Sequence, residues 1–364
     1  MAEHIINFLN YLWPFIIVIG LIIFVHELGH FLAAKFSGVR VEEFSLGFPP
    51  KMFGFKWGET EYRIAWIPLG GYVKMSGMMD ESFDDTVDLN DPRGFNQQTL
   101  WRKVMIIVGG VVMNFLAAWV IYSIITFSSG ISSISGNVIS QVSPEFPAAE
   151  IGLQPGDKIV EIAGSEITEW SQITDVIRNY PGIPVRLSYY RGDSLRTDTI
   201  IPRALPEFNL VEARIDTVGK IGIAGTITTK DVGLFSAMGY GANQVGAIIY
   251  LNIVSIKALV TGGASVKELS GPLGIAKMSG ESAKGGLANF FGFIALISVS
   301  IGFLNILPIP MLDGGHLLFI LIESVIRRPI PEKIKLNLMR VGLGGLLLLI
   351  VVVSYNDILR ILFK

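Results

Sequence analysis

The sequence WPFIIVIGLIIFVHELGH, residues 13–30, places two histidines and a glutamate inside a strongly apolar stretch. Residues 12–34 are long and apolar enough to cross a bilayer as a helix. His26 and His30 are four residues apart, so they share one helix face and can bind one zinc ion, while Glu27 can activate a water. Ionisable groups in a membrane span are costly, so this pentad predicts a functional metal site.

The composition of the whole chain is typical of a membrane protein. Of its 364 residues, 51% are hydrophobic and 16% are charged. A net charge of −2 gives no indication of a nucleic-acid partner. The sequence has no cysteine, which excludes thiolate zinc ligands, thiol catalysis and disulfide bonds.

Four segments are long and apolar enough to span a membrane as helices. They are residues 12–34, 104–127, 290–312 and 341–355, the last extending towards residue 362. A weaker stretch, residues 236–260, mixes apolar residues with Gly, Asn and Gln. We expect this stretch to form an amphipathic helix at the membrane surface, with a fifth span as the alternative. The sequence therefore predicts an α-helical polytopic membrane protein with about four transmembrane helices.

The distribution of Lys and Arg predicts how these helices are oriented. Basic residues are concentrated in residues 35–103 and 327–340, whereas residues 1–11 and 128–146 contain none. The positive-inside rule places basic loops in the cytoplasm. We therefore expect both termini, and the long region of residues 130–285, on the outside of the membrane.

Residues 39–76 are rich in β-branched and aromatic residues, interrupted by Gly and Pro, which predicts a β-hairpin associated with the cytoplasmic side of the membrane. Gly70 and Gly71 would allow a close backbone approach or a bulge. The β-rich segment of residues 41–75, which includes Tyr72, could bind an extended peptide as an added strand. The alternative is that the hairpin only plugs the helix bundle.

Residues 131–205 predict an extracytoplasmic α+β module, with short strands around one helical stretch at residues 169–179. The segment LQPGDKI, residues 153–159, makes this module resemble a PDZ domain. PDZ domains bind extended peptides at a sheet edge, and a spacer or steric gate without a peptide ligand is the alternative. The predicted regions are 1–130 (two spans and the hairpin), 131–205 (the PDZ-like module), 206–288 (strands, an amphipathic helix and a Gly-Pro loop) and 289–364 (two spans).

A catalytic zinc usually has three protein ligands and one open position. The candidate for the third ligand is Asp313, in the segment LNILPIPMLDGGH of residues 304–316, where two prolines must loosen the helix. The predicted orientation brings Asp313 to the same membrane depth as His26 and His30, near the cytoplasmic face. We expect His316 to be a surface residue or to support the ligands, and not to be a fourth ligand.

HELGH and LNILPIPMLDGGH, together with the PDZ-like insert, resemble the site-2 protease family of intramembrane zinc metalloproteases, most nearly its bacterial regulator of sigma-E branch. Residues 44–78 resemble the membrane-associated hairpin of that branch, and SGPLGI at residues 270–275 resembles its Gly-Pro loop. Gly110 and Asn114 match its pattern in the second helix.

The resemblance implies one zinc ion held by His26, His30 and Asp313, with Glu27 as the catalytic acid and base. It also implies that Asn305 contacts the substrate backbone, whereas a helix-capping or interhelical hydrogen bond is the alternative. The implied substrates are single-pass membrane proteins, such as anti-sigma factors or remnant signal peptides, in a bacterial cytoplasmic membrane.

Two features of the chain depart from the branch that it resembles. That branch often carries two PDZ domains in tandem, whereas this sequence predicts one, and Val111 stands where the family often has proline. A non-catalytic membrane scaffold that recruits partners through the PDZ-like module is the alternative function. The intact set of Glu27 and three ligand candidates argues against that alternative.

Overall fold

The computed structural model describes residues 2–78, 90–209, 214–265 and 269–362. The chain divides into two compact units. The helical unit comprises Met1–Ile125, Phe235–Asn252 and Val266–Lys364, and the sheet unit comprises Thr126–Leu234 and Ile253–Ser265.

Apolar runs form the long helices of the chain, and Gly and Pro separate the shorter elements. The elements of the first part are α1 (Ala2–Phe36), β1 (Val41–Trp57), β2 (Thr60–Met75), a 3₁₀ turn (Phe95–Gln97) and α2 (Leu100–Ser129). The elements of the last part are α5 (Leu234–Thr261), α6 (Pro272–Lys284), α7 (Leu287–Asn305), α8 (Asp313–Ile326) and α9 (Glu332–Leu362).

Five helices among the described residues are long and apolar enough to cross a membrane. They are Tyr11–Phe36, Leu100–Ser129, Leu234–Thr261, Leu287–Asn305 and Glu332–Arg360. The expected number of about four is therefore not confirmed, because the stretch expected at the membrane surface forms part of the 28-residue helix α5. Its Gly, Asn and Gln residues lower the mean hydropathy of this helix without interrupting it.

Helices α1 and α7 are parallel, and α2 runs antiparallel to both. Trp13 of α1 contacts Phe290 at the start of α7, and His26 contacts Asn305 at the end of α7. The direction of α2 is the reverse, since its early residue Ile106 accepts a hydrogen bond from His30 and its later residue Asn114 contacts His26.

Strands β1 and β2 form one antiparallel hairpin that folds back on itself. The first half of β1 pairs on both sides, so that Leu46 is opposite Gly71 on one side and opposite Ile64 on the other. The resulting order of segments is 71–75, 41–46, 61–64 and 53–57. Residues 71–75 therefore form one outer edge of this sheet within the described part of the chain.

The elements of the sheet unit are β3 (Ile131–Val142), α3 (Pro147–Glu150), β4 (Lys158–Ile162), β5 (Ser165–Glu166), α4 (Trp170–Arg178), β6 (Val185–Arg191), β7 (Ser194–Ile200), β8 (Arg203–Asn209), β9 (Arg214–Lys220) and β10 (Ile223–Lys230). Six of these strands form a sheet with the order β10-β3-β4-β6-β7, in which β5 pairs with β4. The remaining strands, β8 and β9, pair with each other. The sheet extends beyond the expected boundary at residue 205, because β10 pairs with β3.

Candidate metal centre

Two imidazoles and a carboxylate meet where the C-terminal third of α1 faces the start of α8. His26 Nε2 lies 3.1 Å from Asp313 Oδ2, and His30 Nε2 lies 3.4 Å from Asp313 Oδ1. The two Nε2 atoms are 3.1 Å apart. One ligand atom from each residue lies within 4.8 Å of the others, and this triad is the metal-capable cluster found among the described residues.

Helix α2 orients both histidine rings through contacts with their Nδ1 atoms. His30 Nδ1 donates to the Ile106 carbonyl oxygen at 2.8 Å, which leaves Nε2 directed at Asp313. His26 Nδ1 lies 3.2 Å from the side-chain amide of Asn114, whose Oδ1 is buried and has no hydrogen-bond partner among the described residues. Turning that amide would let Oδ1 accept a hydrogen bond from a protonated Nδ1. This is the histidine tautomer that leaves Nε2 free to bind a metal.

Glycine residues allow α2 to lie this close to the histidines. A Cβ at Gly29 of α1 would lie 2.7 Å from the Gly109 carbonyl carbon, and a Cβ at Gly110 would lie 2.8 Å from His26 Cε1 and overlap with His30 Nε2. Small residues at a helix interface permit such close backbone packing in membranes. The two glycines of α2 therefore determine how near its backbone comes to the ligand pair.

Replacing Gly110 with alanine should weaken zinc binding about tenfold or more, because the new methyl group would displace the His30 ring from Asp313. Competition with a chelator of known affinity measures this change. The matched control is Gly20→Ala in α1, where a Cβ would meet nothing within 4 Å. Equal zinc affinity in the two variants would contradict the packing role of Gly110.

Asp313 reaches the site at the start of α8, and not at the end of the span expected at residues 290–312. The helix α7 ends at Asn305, and Pro308 and Pro310 prevent its continuation. Met311 adopts φ +90°, a conformation that few residues other than glycine adopt. This turn redirects the chain so that Asp313 is the first residue of α8.

Glu27 and the triad line one cavity of about 60 Å³, which is large enough for water. Glu27 is 8% exposed, so its carboxylate is shielded from bulk solvent but faces the same space as the histidines. The other residues that line this cavity are Gly71, Tyr72, Val73, Met75, Met78, Ile107 and His316. His316 thus lies at the site but outside the metal-capable triad.

The residues expected to contact substrate have different positions. Gly71 lies against Glu27, since a Cβ there would be 2.8 Å from Glu27 Cγ. Gly70 packs against the ring of Phe48 and is absent from the cavity lining. Tyr72 lines the cavity and donates its hydroxyl to Glu43 at 2.8 Å. Burial and this hydrogen bond raise the pKa of Tyr72, so the phenol stays neutral.

Asn305 at the end of α7 directs its amide nitrogen to His26 Nε2 at a distance of 3.2 Å. Its side chain therefore lies beside the atom that would bind zinc. This position is compatible with a hydrogen bond to a bound substrate and with the interhelical hydrogen bond that is the alternative.

The donor set fits zinc. Two imidazole nitrogens and one carboxylate oxygen, with a cavity on the open side, match a catalytic zinc site with three protein ligands. Asp313 Oδ2 is buried, and His26 Nε2 lies 3.1 Å from it. A carboxylate that is largely buried between two imidazoles is stabilised by a cation held among the three groups.

Comparisons with known proteins give the same chemistry. The profile of peptidase family M50 matches residues 14–349. A relative from Clostridium perfringens is 36% identical over 339 residues, which cover 93% of this chain and 95% of the relative. Two 29% identical relatives are the zinc metalloprotease RasP of Bacillus licheniformis and the regulator of sigma-W protease RasP of Bacillus subtilis. Each alignment covers 97% of this chain and at least 99% of the relative.

Among solved structures, a PDZ domain of an SdrC-like protein from Listeria innocua matches 25% of this chain and 92% of its own length, with 26% identity and a TM-score of 0.20. The family match spans most of the chain and includes His26, Glu27, His30 and Asp313. The resemblance to the site-2 proteases is thereby confirmed, and the chain belongs to peptidase family M50 and is an intramembrane zinc metalloprotease.

Proposed function

We propose that the chain hydrolyses peptide bonds within transmembrane segments, using His26, His30 and Asp313 as zinc ligands and Glu27 as general base. The observation that carries the proposal is the convergence of these four side chains on one buried cavity from two separate elements, α1 and the start of α8. Three protein ligands and an open side are what a hydrolytic zinc site requires.

Bound zinc would polarise the scissile carbonyl and make the attacking water more acidic. Glu27 would accept the proton of that water and then deliver it to the leaving amine. The position of Glu27 suits this role, because its carboxylate lines the same cavity as the three candidate ligands. Asn305, beside His26, would donate its amide to the substrate carbonyl that lies next to the scissile bond.

The proposed substrates are single-pass membrane proteins, with anti-sigma factors and remnant signal peptides as the expected classes. A relative named as a regulator of sigma-W protease supports this choice. The proposed location is a bacterial cytoplasmic membrane, with the catalytic site near the cytoplasmic face. Supporting this, Lys and Arg are concentrated in residues 35–103 and 327–340.

Helices α1 and α7 are parallel and α2 is antiparallel to both, so α7 begins on the side of the membrane where α2 ends. The proposed topology places this side outside. A single crossing by α5 between α2 and α7 would put the start of α7 on the wrong side. In the proposed arrangement, α5 makes no net crossing, so that α6 and the start of α7 lie towards the outer side. The contact of Lys284, at the end of α6, with Tyr11 near the outer end of α1 supports this placement.

A helical peptide bond must be unwound before hydrolysis, because its own hydrogen bonds shield it. We propose that the outer edge at residues 71–75 pairs with the unwound substrate as an added strand. This edge lines the cavity through Gly71, Tyr72, Val73 and Met75. Gly71 brings its backbone against Glu27, so a strand added there would lie across the catalytic residues.

Introducing proline singly at each position from Tyr72 to Met75 should lower cleavage about tenfold at the positions whose N–H points outward, because proline cannot donate to a ladder. The zinc content should not change. Cleavage of a single-pass substrate and metal analysis measure the two effects. Phe55→Pro, on the opposite edge of the same sheet, is the control. Normal turnover in all four variants would refute strand addition.

The sheet unit offers a site for a peptide partner. A cavity of about 370 Å³ lies between α4 and the start of β10, and its apolar lining includes Phe146, Trp170, Ile177 and Ile223. β10 is the last strand on one side of the sheet, and extended peptides bind such edges. We propose that this PDZ-like module binds a peptide on the outside of the membrane, and that it does not act only as a steric gate.

The purified protein in lipid vesicles, mixed with a single-pass test substrate, tests the proposed function. Cleavage within the membrane segment is expected, with loss on zinc chelation and recovery on zinc addition. A protein that binds zinc and peptide but cleaves no membrane segment would instead be the non-catalytic scaffold.

A further inference from the structure

The helix α9 buries a carboxylate that has no part in the proposed chemistry. Of the described side chains of α9, the buried ones are Met339, Val353 and Asp357, and Asp357 is only 3% exposed. Asp357 lies within the candidate span Glu332–Arg360. A buried ionisable group in such a segment is costly and is seldom retained without a function.

The partner of Asp357 is the first turn of α6. Asp357 Oδ2 accepts the backbone N–H of Gly274 at 2.8 Å. The residue before α6, Gly271, provides no side-chain cap of its own. The Asp357 carboxylate therefore caps the N-terminus of α6, although it belongs to another helix. Its negative charge also stabilises the positive end of the α6 dipole.

Two glycines of the Gly-Pro loop leave space for the Asp357 carboxylate. A Cβ at Gly271 would lie 2.7 Å from Asp357 Oδ2 and 3.1 Å from the Val353 carbonyl carbon. A Cβ at Gly274 would lie 3.2 Å from Asp357 Oδ1. Both glycines thus leave the room that the carboxylate occupies, and Pro272 starts the helix at a position where no N–H is needed.

Two contacts join this pair of helices to the catalytic centre. α6 packs against α1, and Ile275 and Ala283 belong to the same apolar cluster as Val18 and Ile22. Ile22 is one helical turn before His26. On the other side, α9 touches the turn that carries Asp313, because a Cβ at Gly342 would lie 2.8 Å from the Pro310 carbonyl carbon. α9 therefore contacts α6, which packs against the helix that carries both histidines. It also contacts the turn that carries Asp313.

We propose that Asp357 is a positioning residue for the metal centre. By capping α6 it fixes α9 against the helical unit, and α9 in turn holds the Pro310 turn in the place where Asp313 meets His26 and His30. α9 needs such an anchor because it is the least buried of the candidate spans. The inference rests on the proposed role of Asp313 as third ligand.

The test compares Asp357→Leu with Asp357→Asn. The leucine removes the acceptor, and we expect a loss of about tenfold or more in zinc affinity and in kcat, with KM within about twofold of the parent. The asparagine keeps a carbonyl oxygen for Gly274 and should restore both values to within about threefold. The control is Asn356→Leu, which makes the same polar-to-apolar change at the adjacent residue.

Gly271→Ala provides a second route if the leucine variant does not fold. Its methyl group should displace α9 while the carboxylate is retained, and it should reproduce the loss of zinc affinity. Parent-like zinc affinity and kcat in both Asp357→Leu and Gly271→Ala would overturn the proposal, as would an asparagine variant no better than leucine. Chelator competition measures zinc affinity without a substrate. A failure of the positioning role of Asp357 can therefore be distinguished from a failure of the proposed proteolysis.

Discussion

Replacing Glu27 with glutamine should lower cleavage of a membrane-embedded substrate about 10²- to 10⁴-fold while the zinc content stays at one per chain. Glutamine has the shape of glutamate but accepts no proton near neutral pH. It should fit the space beside Gly71 that glutamate occupies. His26, His30 and Asp313 are unchanged, so the ligand set remains complete. Metal analysis and a cleavage assay on the same preparation measure the two effects.

The matched control for this variant is Glu42→Gln in β1, which removes the same charge at a residue outside the cavity lining. We expect parent-like activity from it. Full activity of Glu27→Gln would exclude Glu27 as the general base. Loss of zinc from Glu27→Gln would instead show that this carboxylate supports the metal site.

The proximity of the three candidate ligands was largely predictable from the sequence, because the pairing of the two histidines is local. The four-residue spacing of His26 and His30 places both rings on one helix face. Asp313 is remote in sequence, but the bias of Lys and Arg indicated that its segment and α1 run in the same direction. The structure brings the three side chains together, and the parallel packing of α1 and α7 is the physical reason.

Features that depend on long-range pairing were not predictable. Strand periodicity indicates a hairpin at residues 39–76, but it cannot show that residues 41–46 pair on both sides and leave residues 71–75 at the edge. The supporting role of Asn114 was also missed, although an asparagine inside an apolar span is itself a signal for a buried polar contact.

Helix boundaries near prolines were the other source of error. The expected span of residues 290–312 allowed for a helix loosened by two prolines, whereas the structure ends that helix at Asn305 and starts a new one at Asp313. Glycine contributes here as well, since a Cβ at Gly315 would lie 2.8 Å from the Pro310 Cα. The turn can therefore fold tightly over the first residues of α8, and a linear hydropathy pattern contains no information about this contact.

Replacing Asp313 with asparagine should reduce zinc affinity at least about 100-fold and abolish cleavage at ordinary zinc concentrations. Removing one partner from a buried charge pair typically costs about 3–5 kcal/mol, and each 1.4 kcal/mol corresponds to a factor of about ten. Asparagine keeps the size of the side chain and one oxygen. The decrease in zinc affinity therefore measures the contribution of the negative charge that offsets the zinc dication, and not an effect of packing.

Chelator competition measures the affinity, and excess zinc should restore part of the cleavage, because the variant retains both histidines and Glu27. The control is Asp175→Asn in α4 of the sheet unit, which removes a carboxylate remote in sequence from the centre. If Asp313→Asn bound zinc as tightly as the parent, the third ligand would have to be another residue. His316, which lines the same cavity, would then be the next candidate, and His316→Ala should lower zinc affinity where Asp313→Asn did not.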